Sequence, residues 1–336
     1  MKLGRRLVVS SLISCAIHSS LKAAESTDGE TVSAQSFGAK GDGVTDDTLA
    51  LARAHSEGKH VFYPRTTAYY RTSHVIQLTG SVTSNGAEVR IEGNGDGGRS
   101  IFLVSQNKSP IFIEGLILNG SHKGGTKGEW SHCVDLRGAR NVTIRNNTIR
   151  EPYGDCVYVG SYNGSSPSRS ITIERNRLLN PRRCNVAVVC GEKVIISNNF
   201  IKKPALYVAS IDLEPDRNGS DYVRDILIDN NTFDTSGPFV MAGVNNGISN
   251  TGLRITRNQG RAFHLAKIHE NAKVTGAIIS RNRFKAVSAD GSMLWLSVIK
   301  DSTALENIDT THCVNGYKSI QLYQSTVSLH RNQSCR

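Results

Sequence analysis

The sequence predicts an all-β fold: a right-handed parallel β-helix solenoid with a short N-terminal capping helix. Three observations point there. An alternating apolar segment closed by Asn recurs through the second two-thirds of the chain, at the spacing of one solenoid coil. A second short alternating strand precedes each copy. The 336 residues include 31 Gly, 8 Pro and only 6% aromatics, which suits many short strands and turns rather than a few thick layers.

The Asn-closed copies read Val142–Asn147, Ile171–Asn176, Val194–Asn199, Ile226–Asn231, Leu253–Asn258 and Ala277–Asn282. Their closing Asn residues lie 29, 23, 32, 27 and 24 positions apart, one coil with loops of variable length. The strands before them are Cys133–Arg137, Cys156–Gly160, Val186–Cys190, Ser210–Glu214, Phe239–Gly243, Phe263–Lys267 and Met293–Ser297. Two strands per repeat with period-two alternation send one side chain inward and the next outward. Val134 and Leu136, Val157 and Val159, Ile211 and Leu213, and Leu294 and Leu296 are therefore expected to stack inside. No coil buries its apolar face alone, so neighbouring coils supply the core. Each closing Asn can bond its own backbone, adopt a left-handed conformation and stack on the next. A leucine-rich repeat is the rival solenoid, and its Leu framework is missing.

Upstream, Leu49–His55 reads as a short helix capped by Asp46 or Thr45, with His60–Pro64 as the next strand. A solenoid end exposes strand edges and needs such a cap. Residues 93–98 form a Gly/Asp turn, and 120–127 a flexible insertion. The expected organisation is an export signal over 1–24, a cap and first coils over 32–80, the β-helix over 81–310, and a C-terminal tail or cap over 311–336.

Lys2, Arg5 and Arg6 followed by Leu7–Ile13 read as an export signal, too short to span a bilayer. Leu12–Cys15 has the form of a lipobox that would lipidate Cys15; ordinary cleavage near Ala23 or Ala24 is the alternative. The protein is expected outside the cytoplasm: extracellular, periplasmic, or held at the outer membrane by a lipid on Cys15. The net charge of +11 favours an acidic partner. The basic residues form no run, so an acidic polysaccharide is expected and nucleic acid is not. The oligomeric state is not legible. Six cysteines follow Cys15, and no CxxC zinc pattern occurs. Cys133 and Cys156 open aligned strands and could form a disulfide; Cys184 opens the third, making a thiol stack the alternative. Cys313 and Cys335 could staple the tail.

The segment Phe37–Thr48 resembles the N-terminal motif shared by the pectate-lyase-like superfamily, which includes polygalacturonases and phage tailspike depolymerases. With the coils, the resemblance covers roughly residues 32–310 and implies a right-handed parallel β-helix acting on polysaccharides. A narrower similarity to polygalacturonases runs from His132 to Val188. Gly154-Asp155-Cys156-Val157 resembles that family's paired-Asp strand start, and implies a catalytic role for Asp155. His132-Cys133 stands where the family has an Asp, and Cys184-Asn185 where it has His-Gly.

Glycoside hydrolysis needs one carboxyl to protonate the leaving oxygen and another to activate water. Asp155 and Asp212 are the expected acid and base, supported by Glu214 and Arg183. If Tyr158, Ala187 and Asp212 occupy equivalent positions, Asp155 and Asp212 lie two coils apart, about 2 × 4.8 Å. Asp212, Glu214 and Asp216 alternate along one face; a solvated strand edge is the plainer alternative. Asp135 projects outward toward substrate, or pairs with Arg137 or Arg140. Arg182 and Arg183 could hold a uronate carboxylate by bidentate bonds, or sit in a solvated turn. Tyr158 and Trp295 could stack on sugar rings, and Lys267 and His264 complete the expected substrate contacts, although a satisfied surface His is the plainer reading of His264 and His269. The hydrolase reading requires no cofactor. The lyase alternative would bind Ca²⁺ through Asp212, Glu214 and Asp216, with Arg183, Lys267 or His269 as base. A non-catalytic glycan-binding or adhesion β-helix is the third reading.

Overall fold

The computed structural model describes residues 30–93, 99–203, 208–216, 220–243, 250–272, 274–288, 291–297, 299–310, 320–323, 325 and 327–334. The export segment with Cys15, the Cys313 and Cys335 pair, and positions 94–98 of the expected turn lie outside them.

Three parallel sheets run along a solenoid, with thirteen, eleven and ten strands among the described residues. The Asn-closed segments build the thirteen-stranded sheet: Arg140–Arg145 pairs with Ser168–Glu174, then Gly191–Ser197, Val223–Asp229, Arg254–Thr256 and Ile278–Ser280. Val142, Ile171, Val194, Ile226, Leu253 and Ala277 stack in register and are buried, as are Ile144, Ile173, Ile196, Ile228, Ile255 and Ile279. The preceding strands build the ten-stranded sheet, and every expected inward pair there is fully buried. Each buried Val, Leu or Ile contributes about 1.5–3 kcal/mol relative to exposure, repeated coil after coil.

Each coil has a third strand that the two-strand reading missed. Thr148–Arg150, Arg177–Leu179, Phe200–Lys203, Thr232–Thr235 and their successors form the eleven-stranded sheet. These strands are three or four residues long and bury one large apolar side chain each, as with Phe233 between Thr232 and Asp234. So short an alternation does not stand out from a loop.

The Asn positions form a continuous buried ladder. Asn231 shows the pattern: its backbone N–H and Nδ2 both donate to Asn258 Oδ1 at 2.9 Å, and Nδ2 also donates to Ile196 O at 2.8 Å. The same bonds link Asn147, Asn176, Asn199, Asn231, Asn258 and Asn282, and run on through Asn307 to Asn332. The left-handed conformation belongs to the residue before each ladder Asn, not to the Asn itself. Asn146, Arg175, Asn198, Asn230, Arg257, Arg281, Glu306 and Arg331 all have φ between 47° and 57°. That residue turns the corner, and the Asn side chain satisfies the corner's backbone groups.

At the N-terminal end the helix spans Thr48–His55, and its cap position is Asp47 rather than Asp46 or Thr45. Asp47 turns its carboxylate back to the amides of Lys40 and Gly41, at 2.6 and 3.0 Å. Asp46 accepts from the Thr48 amide at 3.0 Å, so it ties down the first turn from outside the cap position. The 311–336 segment, expected as a tail, includes Ile320–Tyr323 and Val327–His330, which pair in parallel with the preceding coil and prolong the solenoid.

The expected cysteine chemistry is corrected in two respects. Cys133, Cys156, Cys184 and Cys190 are free, buried thiols, so the proposed Cys133–Cys156 disulfide is absent. Cys133 and Cys156 donate instead to backbone carbonyls of Arg150 and Ile149. Cys184 is not the third of their column. Val157 pairs with Val186, and the Cys156 residue therefore stands opposite Asn185, which points inward. A one-residue offset moves a side chain to the other face of a sheet. Cys184 belongs to a small apolar cluster with Tyr158, Ala187 and Val189, apart from the main core.

Candidate functional site

Alternation places one side chain per coil on the outer face of the ten-stranded sheet. In register, this row reads Leu103, Asp135, Tyr158, Ala187, Asp212, Met241, Lys267, Trp295 and Gln321. The equivalence of Tyr158, Ala187 and Asp212 expected from the repeats holds. A groove of about 450 Å³ opens over the middle of this row, lined by Trp130, Tyr158, Arg183, Asp212, Glu214 and Asp216 among others.

Asp212 lies on the floor. Ile211 and Leu213 turn into the core, which forces Asp212 outward, yet only 2% of it is exposed. Glu214 continues the pairing through its amide to Val188 O, 3.0 Å, and Pro215 then ends it by lacking an N–H. Asp212 Oδ2 receives only a long contact from Cys184 Sγ, 3.9 Å, and Oδ1 has no hydrogen-bond partner among the described residues. Burial and the nearby Glu214, Asp155 and Asp216 push its pKa up to about 8, against the pull of Arg183. The carboxyl therefore holds its proton at neutral pH.

Asp155 has the opposite environment. It is fully buried beneath the groove and does not line it. Oδ1 accepts from the Cys184 amide at 2.8 Å, and His132 Nδ1 stands 3.1 Å from Oδ2. Burial alone would raise its pKa, but His132, Arg183 and the Cys184 amide together hold it below the ordinary value. Asp155 and Asp212 thus meet the same residue, Cys184, from opposite sides. Arg183 bonds Glu129 at 2.6 Å, and its charge is held on by Asp155, Cys184, Glu129 and Asp212 against a desolvation cost.

Residues 132–293 match the family model described as a right-handed β-helix region. Over 128 residues the chain is 30% identical to the preneck appendage protein of Bacillus phage PZA, a match spanning 34% of this chain and 15% of that protein. Among solved structures, the surface adhesin PfbA of Streptococcus pneumoniae superposes with a TM-score of 0.63 at 15% identity, covering 91% of both chains. The exopolygalacturonase of Thermotoga maritima gives 0.60 at 12% identity, covering 91% of this chain and 92% of that one. The chain has the right-handed parallel β-helix fold. Its fold is shared by glycan hydrolases and by an adhesin alike.

In this β-helix protein the other expected contacts divide. Asp135 is held by Arg137, whose Nε lies 2.7 Å from Oδ1, which is the pairing reading. Tyr158 does not offer a free face: His132 stacks on it with centroids 4.7 Å apart, and the Arg137 guanidinium lies 4.4 Å from its centroid. Arg182 is spent on carbonyls, donating to Tyr153 O and, at 2.7 Å, to Thr126 O. It anchors the 120–127 insertion instead of reaching a substrate. His264 is buried against Ser292, with Nδ1 3.0 Å from Oγ, and burial pushes its pKa down to about 4. It does not line the groove. No three His, Cys, Asp or Glu side chains among the described residues gather closely enough to hold a metal ion, so Asp212, Glu214 and Asp216 do not form the expected Ca²⁺ cradle.

Two groove residues escaped the sequence reading. Trp130, 48% exposed, stands edge-on to Tyr158 with centroids 6.1 Å apart, and Glu129 beside it neutralises Arg183. Both lie just past an insertion with no repeat pattern. A Trp and an acid following a Gly/Lys-rich loop were the available signal.

Proposed function

We propose that the groove binds a polysaccharide and cleaves a glycosidic bond by hydrolysis, outside the cell, with Asp212 as the general acid. The observation that carries the reading is the Asp212 carboxyl: desolvated, with Oδ1 unpartnered at the floor of an open groove, so that burial and the neighbouring acids push its pKa up to about 8. A proton donor for a leaving sugar oxygen needs that combination, since its pKa must sit near the working pH. Glu214 is the base that activates water. It lies two residues further along the extended backbone, on the same outward face, and lines the same groove.

The roles of the remaining residues follow. Asp155 is a positioning residue, buried below the sugar and fixing Cys184 and Arg183 by hydrogen bond and charge. Arg183, balanced by Glu129, shields the acid cluster. Trp130 offers an exposed ring for a sugar face. The chemistry needs no cofactor.

The test is a panel of neutral and acidic polysaccharides, followed by reducing ends and by the absorbance of unsaturated uronate products. Hydrolysis should release reducing ends without that absorbance, and Asp212→Asn should lower kcat by about 10²–10⁴ while glycan binding survives. Unsaturated products would replace the reading with β-elimination. Binding without turnover by the wild type would replace it with an adhesion module.

A further inference from the structure

Beyond the groove, the outward row continues toward the C-terminal end of the solenoid as Met241, Lys267 and Trp295, coil on coil. Trp295 does not stand alone. Tyr323, from the next coil, lies beside it with centroids 5.3 Å apart and planes 28° apart. His264 buttresses its edge at 5.7 Å, and Lys267 Nζ is 5.8 Å from its centroid. Tyr323 is 46% exposed. Lys267 makes no ion pair among the described residues, whereas Arg137 and Arg183 beside the same row are matched to Asp135 and Glu129.

We propose that Lys267, Trp295 and Tyr323 form a distal subsite for a negatively charged sugar residue, with the glycan lying along the solenoid axis from Asp212 toward the C-terminal coils. The inference rests on the polysaccharide reading and adds a direction, a reach and a charge preference to it. A sugar stacks its C–H face on the exposed Tyr323 ring, which Trp295 backs by stacking against it, while the neighbouring Lys267 ammonium takes its carboxylate or sulfate. Trp295 lies three coils beyond Asp212, ~14 Å along the axis, which spans a short run of sugar residues. Net charge over the whole chain, +11, draws such a polymer to the surface without deciding its register.

Binding is measured on the Asp212→Asn protein, so that turnover plays no part, with oligogalacturonates of graded length and neutral xylo-oligosaccharides as probes. Trp295→Ala is expected to weaken the long oligogalacturonates about tenfold, ~1.4 kcal/mol, and to leave the shortest unchanged. Trp295→Phe should restore most of the loss, separating stacking from folding damage. Lys267→Gln should weaken the acidic series and spare the neutral one. Equal losses at every length, insensitivity to Lys267→Gln, or no binding of either series would overturn the subsite. Absence of turnover in the wild type, with these length and charge effects intact, would overturn only the hydrolase reading.

Discussion

Two columns of buried polar groups run through this solenoid, and they are built on opposite terms. In the Asn ladder every buried amide is matched: the Asn258 amide accepts two bonds from Asn231 and donates to Ile228 O at 2.9 Å. At the groove floor and beneath it the groups are just as buried and are left short: Asp212 Oδ1 on the floor, and Asp155 Oδ2, His132 Nε2 and Ser210 Oγ below it, have no hydrogen-bond partner among the described residues. A satisfied buried network fixes one structure, whereas an unsatisfied one costs stability and persists where something else needs it. The ladder therefore reads as scaffold and the floor as chemistry. Asp155 is divided by this measure: Oδ1 accepts from the Cys184 amide, whereas Oδ2 lies 3.1 Å from His132 Nδ1 and has no hydrogen-bond partner among the described residues.

The contrast can be broken at its strongest joint first. Asp155→Ala removes the acceptor of the Cys184 amide and the partner of His132, and should destabilise by about 3–5 kcal/mol, read from denaturant unfolding. Asn231→Ala strips donors and acceptors from two neighbouring coils, and should cost about 1–3 kcal/mol with unchanged kcat. If both substitutions were silent, the ladder would not be the scaffold.

The floor predicts the reverse sign. Asp212 has its folded pKa raised to about 8, so the folded state binds a proton that the unfolded chain has lost. Its contribution is present below the unfolded carboxyl value and is lost as pH rises from there through about 8. Asp155 has its pKa lowered, so its contribution is present above the unfolded value and is lost as pH falls through the folded one. Asp212→Asn should accordingly raise Tm over wild type, more at pH 9 than at pH 5. Turnover should fall as pH rises through about 8, when the acid loses its proton. The smallest effect is expected at the thiols. Cys133→Ala should cost ~1 kcal/mol or less, against the 2–5 kcal/mol typical of a lost structural disulfide.

How far the sequence disclosed this molecule follows the same divide. Periodicity revealed the coils, the inward pairs and the outward row, because stacked repeats restate one pattern many times. It missed the third sheet, whose strands carry a single inward residue each, and it ended the solenoid early because Ala304-Leu-Glu-Asn307 and Leu329-His-Arg-Asn332 carry weaker apolar signals. The row also placed Asp212 and Glu214 correctly relative to Tyr158 and Ala187. What it could not disclose was burial on the outer side. Tyr158 was read as a stacking ring, and Arg182 and His264 stayed open between a substrate contact and a plainer role, because alternation reports direction and not what covers a side chain. Residues 128–131 cover the row from outside the repeat, and no period foretells where such a segment lies. The slip at Cys184 came from aligning like residues, cysteine with cysteine, where the strand register pairs Cys156 with Asn185.

The protonation of Asp212 is open to direct measurement. Carboxyl ¹³C chemical shifts followed across pH, with the Asp212 resonance assigned by its loss in Asp212→Asn, should show a midpoint near 8. A midpoint in the ordinary carboxylate range near 4 would leave the groove without a proton to give, and the acid assignment would fail.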